Sequence, residues 1–265
     1  MVVLIGTSGW QYRDWRGRFY PPDLPQRAWL EHYAACFATV EVNNAFYRLP
    51  EARTFSDWAG RTPDDFCVAV KASRYLTHVK RLQAPAEPVE RFLSRARHLG
   101  AKLGPVLLQL PPNLQADLQA LDDTLRQFPS GVRVAVELRH PSWFEAGTRA
   151  LLEGHGAALC LADSPRRKTP LWRTAGWGYL RMHEGRATPH PCYGRRALAT
   201  WAGKLADTWS DGEDVYVYFN NDTGACAVRD AGVMARELER AGLYPSRVAP
   251  PRAVRLASGR TSRSR

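Results

Sequence analysis

Long apolar stretches are missing from this chain. No run approaches the ~18 residues that a membrane-crossing helix needs, so a helical membrane span is excluded. Compact metal and redox spacings are missing too: there is no C-x-x-C, no H-x-H and no H-E-x-x-H. The turn after the first apolar run reads Gly6-Thr7-Ser8-Gly9-Trp10, not G-x-G-x-x-G, which excludes the dinucleotide fingerprint. No 20–50-residue repeat recurs, which argues against a solenoid or propeller. Cysteine is sparse and odd in number, at positions 36, 67, 160, 192 and 226. Cys67 and Cys160 fall inside apolar runs, where a thiol serves as a small hydrophobe. The expectation is no disulfide framework, a reducing compartment and a cytoplasmic location. The apolar start has no basic leader and no small-residue cleavage site, so it reads as a strand rather than a signal peptide.

Lysine is scarce, with 5 among the 37 basic residues, and the formal net charge is +11. Six arginines and no acidic residue lie between 246 and 265, which leaves +5 on residues 1–245. The expected organisation is one domain over 1–245 followed by a basic, disordered tail over 246–265. Positive charge favours anionic partners.

What the chain does contain is an alternation. Apolar, strand-like runs at 2–5, 39–43, 66–71, 106–110, 132–138, 157–162, 177–182 and 215–219 are separated by helical spacings at 26–36, 51–60, 88–99, 117–128, 145–154, 197–209 and 228–241. Only the sixth connection is too short and polar for a full helix. Continuous apolar strands with helical crossovers are the pattern of a parallel sheet covered by helices. Eight of them within about 250 residues predict an α/β fold, a single (β/α)8 barrel.

Polar residues interrupt the apolar runs at their C-terminal ends. Side chains two apart share a strand face, which groups Glu41 with Asn43, Lys71 with Ser73, Glu137 with Arg139, Arg181 with His183 and Tyr218 with Asn220. Gln109 and Asp163 stand alone. In a closed barrel all of these are expected to face inward at the mouth, where barrel enzymes place their chemistry. Charges buried there require partners, and three cations facing three carboxylates (Glu41, Glu137, Asp163) provide them. Such pairing also describes a barrel that uses salt bridges only to fix register.

The segments GTSGWQYRDWRGRFYP, VEVNNAFYRLP, VAVKASRYLTHVKRL, LLQLPPN, VAVELRHPSW and VYFNND, in this order, resemble the YecE-like family, domain of unknown function 72. The resemblance spans roughly 4–243. It implies a β/α barrel and a site location, not a reaction. Motif positions that carry over are Trp10, Glu41, Asn43, Tyr47, Lys71, His78, Gln109, Glu137, Arg139, Trp143, Asp163, Arg181, His183 and Asn220. Glu184 departs from the pattern, which resembles a glycine after the histidine.

From these residues we expect an enzyme of hydrolase or lyase/isomerase type that acts on a small anionic or phosphorylated substrate. Glu137, Lys71, Asp163 and His183 are the catalytic candidates. Trp10, Glu41, Asn43, Tyr47, His78, Gln109, Arg139, Trp143, Arg181 and Asn220 are the substrate-binding candidates. Arginine suits bidentate recognition of phosphate or carboxylate. No cofactor is expected. His183, His78, Glu41, Glu137 and Asp163 are donors for a divalent metal, but no ligand spacing supports one. Two alternatives stay open: a nucleic-acid-binding protein or phosphodiesterase using the basic tail and an aromatic rim, and a non-catalytic barrel that holds a small ligand.

Overall fold

The computed structural model describes residues 1–164, 167–209 and 212–255. Among the described residues eight parallel strands form the barrel, β1 (Val2–Thr7), β2 (Thr39–Val42), β3 (Cys67–Lys71), β4 (Leu103–Gln109), β5 (Val134–Glu137), β6 (Ala158–Ser164), β7 (Gly178–Met182) and β8 (Val215–Phe219), and a ninth of two residues, Tyr244–Pro245, pairs parallel with the start of β1. The hydrogen-bonded order runs β1-β8-β7-β6-β5-β4-β3-β2. The helices are α1 (Trp29–Cys36), the single turn α2 (Asn44–Tyr47), α3 (Ala52–Gly60), α4 (Ala86–Ala96), α5 (Leu118–Leu125), α6 (Ala146–His155), α7 (Arg195–Trp209) and α8 (Cys226–Arg240). The expected barrel is therefore the observed one, including the connection from β6 to β7. Among the described residues that connection holds no helix, only a two-residue strand, Arg167–Lys168, antiparallel to β6.

The sheet closes on itself without a ladder between β1 and β2. The Tyr33 hydroxyl stitches the seam instead. It accepts from the Thr7 amide at 3.0 Å and donates to the Thr39 carbonyl at 3.1 Å. Gly6 lets the two backbones meet, because a Cβ there would stand 2.3 Å from the Thr39 carbonyl oxygen.

Strand alternation divides the core in two. One cluster, with Ala69, Leu107, Ala135, Ala158, Cys160, Tyr179, Tyr216 and Tyr218, fills the barrel. The other lies between sheet and helices. It takes apolar residues at helical spacing, such as Leu198, Ala202, Leu205 and Trp209 of α7. With both faces covered, the strands have no polar side, as the continuous apolar runs require.

Two expectations are corrected. Residues 246–255 are not a disordered tail. The Ser246 hydroxyl accepts from the Ile5 amide, Arg247 pairs with Asp65 at 2.8 Å, and Val254 is buried. Residues 256–265, the rest of that expectation, lie outside the described residues. Cysteine is also not wholly reduced: Cys192, after β7, and Cys226, opening α8, form a disulfide across 34 residues. No local spacing announced it, because adjacent strands, not adjacent residues, bring the two together. It also removes the premise on which a reducing compartment was expected. Among the described residues, no helix is long and apolar enough to cross a membrane.

Candidate active site at the barrel mouth

The inner face of the strands turns from apolar to charged within one step of the two-residue period. On β7, Tyr179 is followed by Arg181; on β5, Ala135 by Glu137; on β3, Ala69 by Lys71. Arg181 stands at the centre and is 2% exposed. Its two terminal nitrogens donate to different carboxylates, Glu41 Oε1 and Glu137 Oε2, both at 2.7 Å. Tyr179 donates to the other Glu41 oxygen at 2.7 Å. Glu137 also accepts from Gln109 Nε2 at 2.9 Å and from Arg139 Nε at 2.8 Å. The sequence-expected Glu41, Gln109, Glu137, Arg139 and Arg181 thus form one network.

This network fixes the charge states. Burial pushes both carboxyls up, but Arg181 overcomes it, so Glu41 lies below the usual carboxylate range and Glu137, helped by His183 and Arg139, well below it. Arg181 in turn is held firmly protonated by the same pair, against its own burial.

His183 and Asn220 extend the cluster. Asn220 Nδ2 lies 3.2 Å from His183 Nδ1. An amide nitrogen only donates, so the neutral imidazole carries its proton on Nε2, 3.5 Å from Glu137 Oε1. Asn43 donates to the Ser8 carbonyl at 3.3 Å.

Lys71 behaves differently from the arginines. It is 7% exposed, and among the described residues it makes no ion pair and no hydrogen bond. Its Nζ lies 3.8 Å from the centroid of the Phe46 ring. Burial, then the charge of Arg181, brings its pKa down to about 8. His78 packs edge-on to the same ring at 5.0 Å. Burial, then Lys71, lowers it to about 4, so it is neutral.

Asp163 does not join the cluster. It is one residue out of phase with Cys160, and its carboxylate turns outward, where it accepts from Trp201 Nε1 on α7. There it lines a cavity of ≈ 670 Å³ with Tyr193, Thr200 and Lys204. Trp10 and Trp143 are packing residues: Trp10 meets Trp58 edge-on at 5.5 Å, and the fully buried Trp143 donates to the Leu114 carbonyl at 2.8 Å. Tyr47 is 79% exposed on α2.

One group lies outside the expected set. Asp222, two residues past Asn220, makes no side-chain cap bond. It is half-buried, and the burial of its carboxyl raises its pKa to about 7 against the opposing effects of Tyr12 and Arg181. Its Oδ1, together with Asn43 Oδ1 and Arg181 Nε, is buried without a hydrogen-bond partner among the described residues. The two-residue period, carried past the strand end, was the available signal for it. As for a metal, no three His, Cys, Asp or Glu side chains among the described residues are placed to hold one.

Comparison with known proteins bears on the family and the fold. A family model described as "Protein of unknown function DUF72" matches residues 4–253. The UPF0759 protein YunF of Bacillus subtilis is 25% identical, covering 92% of this chain and 98% of its own. The crystal structure of a DUF72 family protein from Thermotoga maritima superposes with a TM-score of 0.81 at 28% identity, covering 90% of this chain and 100% of its own. D-Psicose 3-epimerase of Clostridium cellulolyticum H10 (TM-score 0.51, 13% identity, 90% of this chain and 96% of its own) shares the barrel fold alone. On sequence and fold together, the chain belongs to the DUF72 family.

Proposed function

We propose that this barrel is an enzyme that binds a small anionic, phosphate-bearing substrate at its mouth and works on it by acid–base chemistry. The observation that carries the reading is a charge imbalance. With Asp163 turned outward, Lys71, Arg139 and Arg181 face two firmly ionised carboxylates, Glu41 and Glu137. The two terminal nitrogens of Arg181 are taken by those two. Lys71 and the terminal nitrogens of Arg139, which is 20% exposed at its side chain, are left to meet a ligand anion. Asn43, Gln109 and Asn220 orient it.

Glu137, expected as the general acid or base, is a weak base when clamped by two arginines. Its role becomes electrostatic. Proton transfer falls to Asp222, whose proton affinity lies near neutrality, and to the His183 imidazole, 3.5 Å from Glu137. The chemistry is hydrolysis or a lyase/isomerase-type proton shift, and the fold itself favours neither.

The test is inorganic phosphate, followed by a panel of small sugar phosphates, titrated into the protein while its melting temperature is read. Phosphate should raise Tm in the wild type and in a chain ending at Arg255, and should do so far less in Arg139→Ala. An equal rise in Arg139→Ala would sink the reading. A second reading, single-stranded nucleic acid at the rim, draws on Tyr47, exposed beside Arg48. It requires oligonucleotide binding that survives truncation at Arg255 and weakens in Tyr47→Ala.

A further inference from the structure

We propose that Lys71 is a covalent nucleophile, whose amine condenses with the carbonyl carbon of a small aldehyde or ketone bearing a phosphate or carboxylate. The proposal rests on the anionic-substrate reading above and adds to it the functional group that reacts.

The other described lysine side chains are committed elsewhere. Lys102 donates to the Ala59 and Thr62 carbonyls at 2.5 and 2.6 Å, and Lys204 lies over the Trp201 ring at 4.5 Å on the outer side of the barrel. Lys80 sits near Tyr75 at 5.7 Å. Lys71 alone among them ends a barrel strand on the inner face. It is buried against an aromatic ring and has no carboxylate partner, although two carboxylates share the mouth. A lysine kept only for its charge would pair with one of them. Arg181 holds both.

A buried amine beside a fixed guanidinium is the arrangement that yields a neutral, nucleophilic lysine, and its affinity for protons is depressed accordingly, to about 8. Arginines are the better permanent anion ligands, and Arg139 already fills that role. The step conserves charge and atoms. The amine nitrogen bonds to the carbonyl carbon, the C–O bond breaks, and two protons of the original ammonium leave with that oxygen as water. The positive charge remains on the iminium nitrogen. Nothing is oxidised or reduced.

The experiment treats the full-length protein with glycolaldehyde phosphate and cyanoborohydride, which reduces an imine to a stable amine, and maps the adduct by peptide mass spectrometry. Lys71 should be labelled at pH 8 on the order of tenfold or more faster than Lys80 or Lys204. Inorganic phosphate should slow the labelling. Lys71→Arg, which keeps the charge but not the nucleophile, should lose this adduct, whereas Lys204→Arg, on the outer side of the barrel, should keep both the adduct and the phosphate-induced rise in Tm. Labelling spread over surface lysines with Lys71 unmodified, alongside an intact phosphate effect, overturns the imine and leaves the anion site standing. A Lys71 adduct insensitive to phosphate supports the amine and overturns the anion site. Absence of both effects overturns both.

Discussion

Two polar clusters flank the ends of β6 and β7, and they differ in kind. Inside the barrel, Arg181 holds two buried carboxylates, while among the described residues Lys71 makes no ion pair or hydrogen bond and five buried atoms (Ser8 Oγ, Asn43 Oδ1, Arg181 Nε, His183 Nε2 and Asp222 Oδ1) have no hydrogen-bond partner. Outside, the loop after β7 meets α8 in a closed arrangement. Asp230 accepts from the Tyr193 amide at 2.7 Å, from Asn221 at 2.8 Å and from Arg229 at 2.7 Å, and the Cys192–Cys226 disulfide joins the same two segments. The outer cluster uses most of its polar groups on itself, and Asn221 Oδ1 is its one buried atom without a partner among the described residues. The inner one has capacity left over. That difference separates a site held ready for a ligand from polar residues that fix a loop, and it predicts that damage to each region reads out differently.

The largest effect should come from the inner clamp. Arg181→Met leaves Glu41 and Glu137 buried and uncompensated, and breaking a buried pair from one side costs about 3–5 kcal/mol. Urea unfolding should show it. Replacing all three, as Arg181→Met with Glu41→Gln and Glu137→Gln, should recover most of that loss while abolishing any phosphate effect. If the single variant were as stable as the wild type, Arg181 would not be neutralising these carboxylates.

Opening the outer cluster should cost somewhat less and leave the site alone. Removing a disulfide that closes a loop of this size costs about 2–4 kcal/mol. A Cys192→Ser/Cys226→Ser variant should therefore melt lower, with the wild-type response to phosphate retained. Loss of that response would tie the β7–α7 loop to the site and erase the distinction between the clusters.

Two titrations sharpen the comparison further. Asp222 has a folded pKa of about 7, above its unfolded value, so between roughly pH 4 and 7 the folded state binds more protons and stability falls as pH rises. Lys71, at about 8, lies below its unfolded value, so between roughly pH 8 and 10.4 the unfolded state binds more protons and stability rises with pH. Each contribution is about 3–4 kcal/mol. In stability curves measured against pH, Asp222→Asn should flatten the first slope and Lys71→Met the second. A Lys71→Met curve parallel to the wild type above pH 8 would mean that the amine is not buried as described.

The barrel was legible in the sequence because each element carries its own periodicity. Val106-Leu107-Leu108 cannot be a surface strand, and a crossover is needed wherever such runs neighbour each other in parallel. The inner network was legible for the same reason: Glu137 with Arg139, or Arg181 two after Tyr179, follows from counting by two. What the sequence hid was anything decided between elements. The disulfide depends on β7 and β8 lying side by side. The packing of residues 246–255 depends on acceptors and donors contributed by β1 and by Asp65. Asp222 was hidden because it lies past the end of β8, where no apolar alternation marks which way a side chain turns.

Asp163 is where counting by two was misapplied, and it gives the finest test of the comparison. Motif position and strand end suggested the mouth, but Ala158 and Cys160 already fix the inward phase of β6, and 163 has the opposite parity. Its carboxylate takes the Trp201 indole N–H and stands near the Tyr193 hydroxyl. Asp163→Asn keeps an acceptor for the indole and removes a charge, so the expected cost is one weakened charge-assisted hydrogen bond, about 1 kcal/mol. Phosphate binding and Lys71 labelling should stay at wild-type levels, because no inner residue touches this side chain. Asp163→Ala should cost about 1–3 kcal/mol, as it leaves the half-buried indole donor unpaired. If either substitution changed the phosphate response by more than it changed stability, the outward-facing carboxylate would be acting on the site through β6, and the inner and outer clusters would be one unit rather than two.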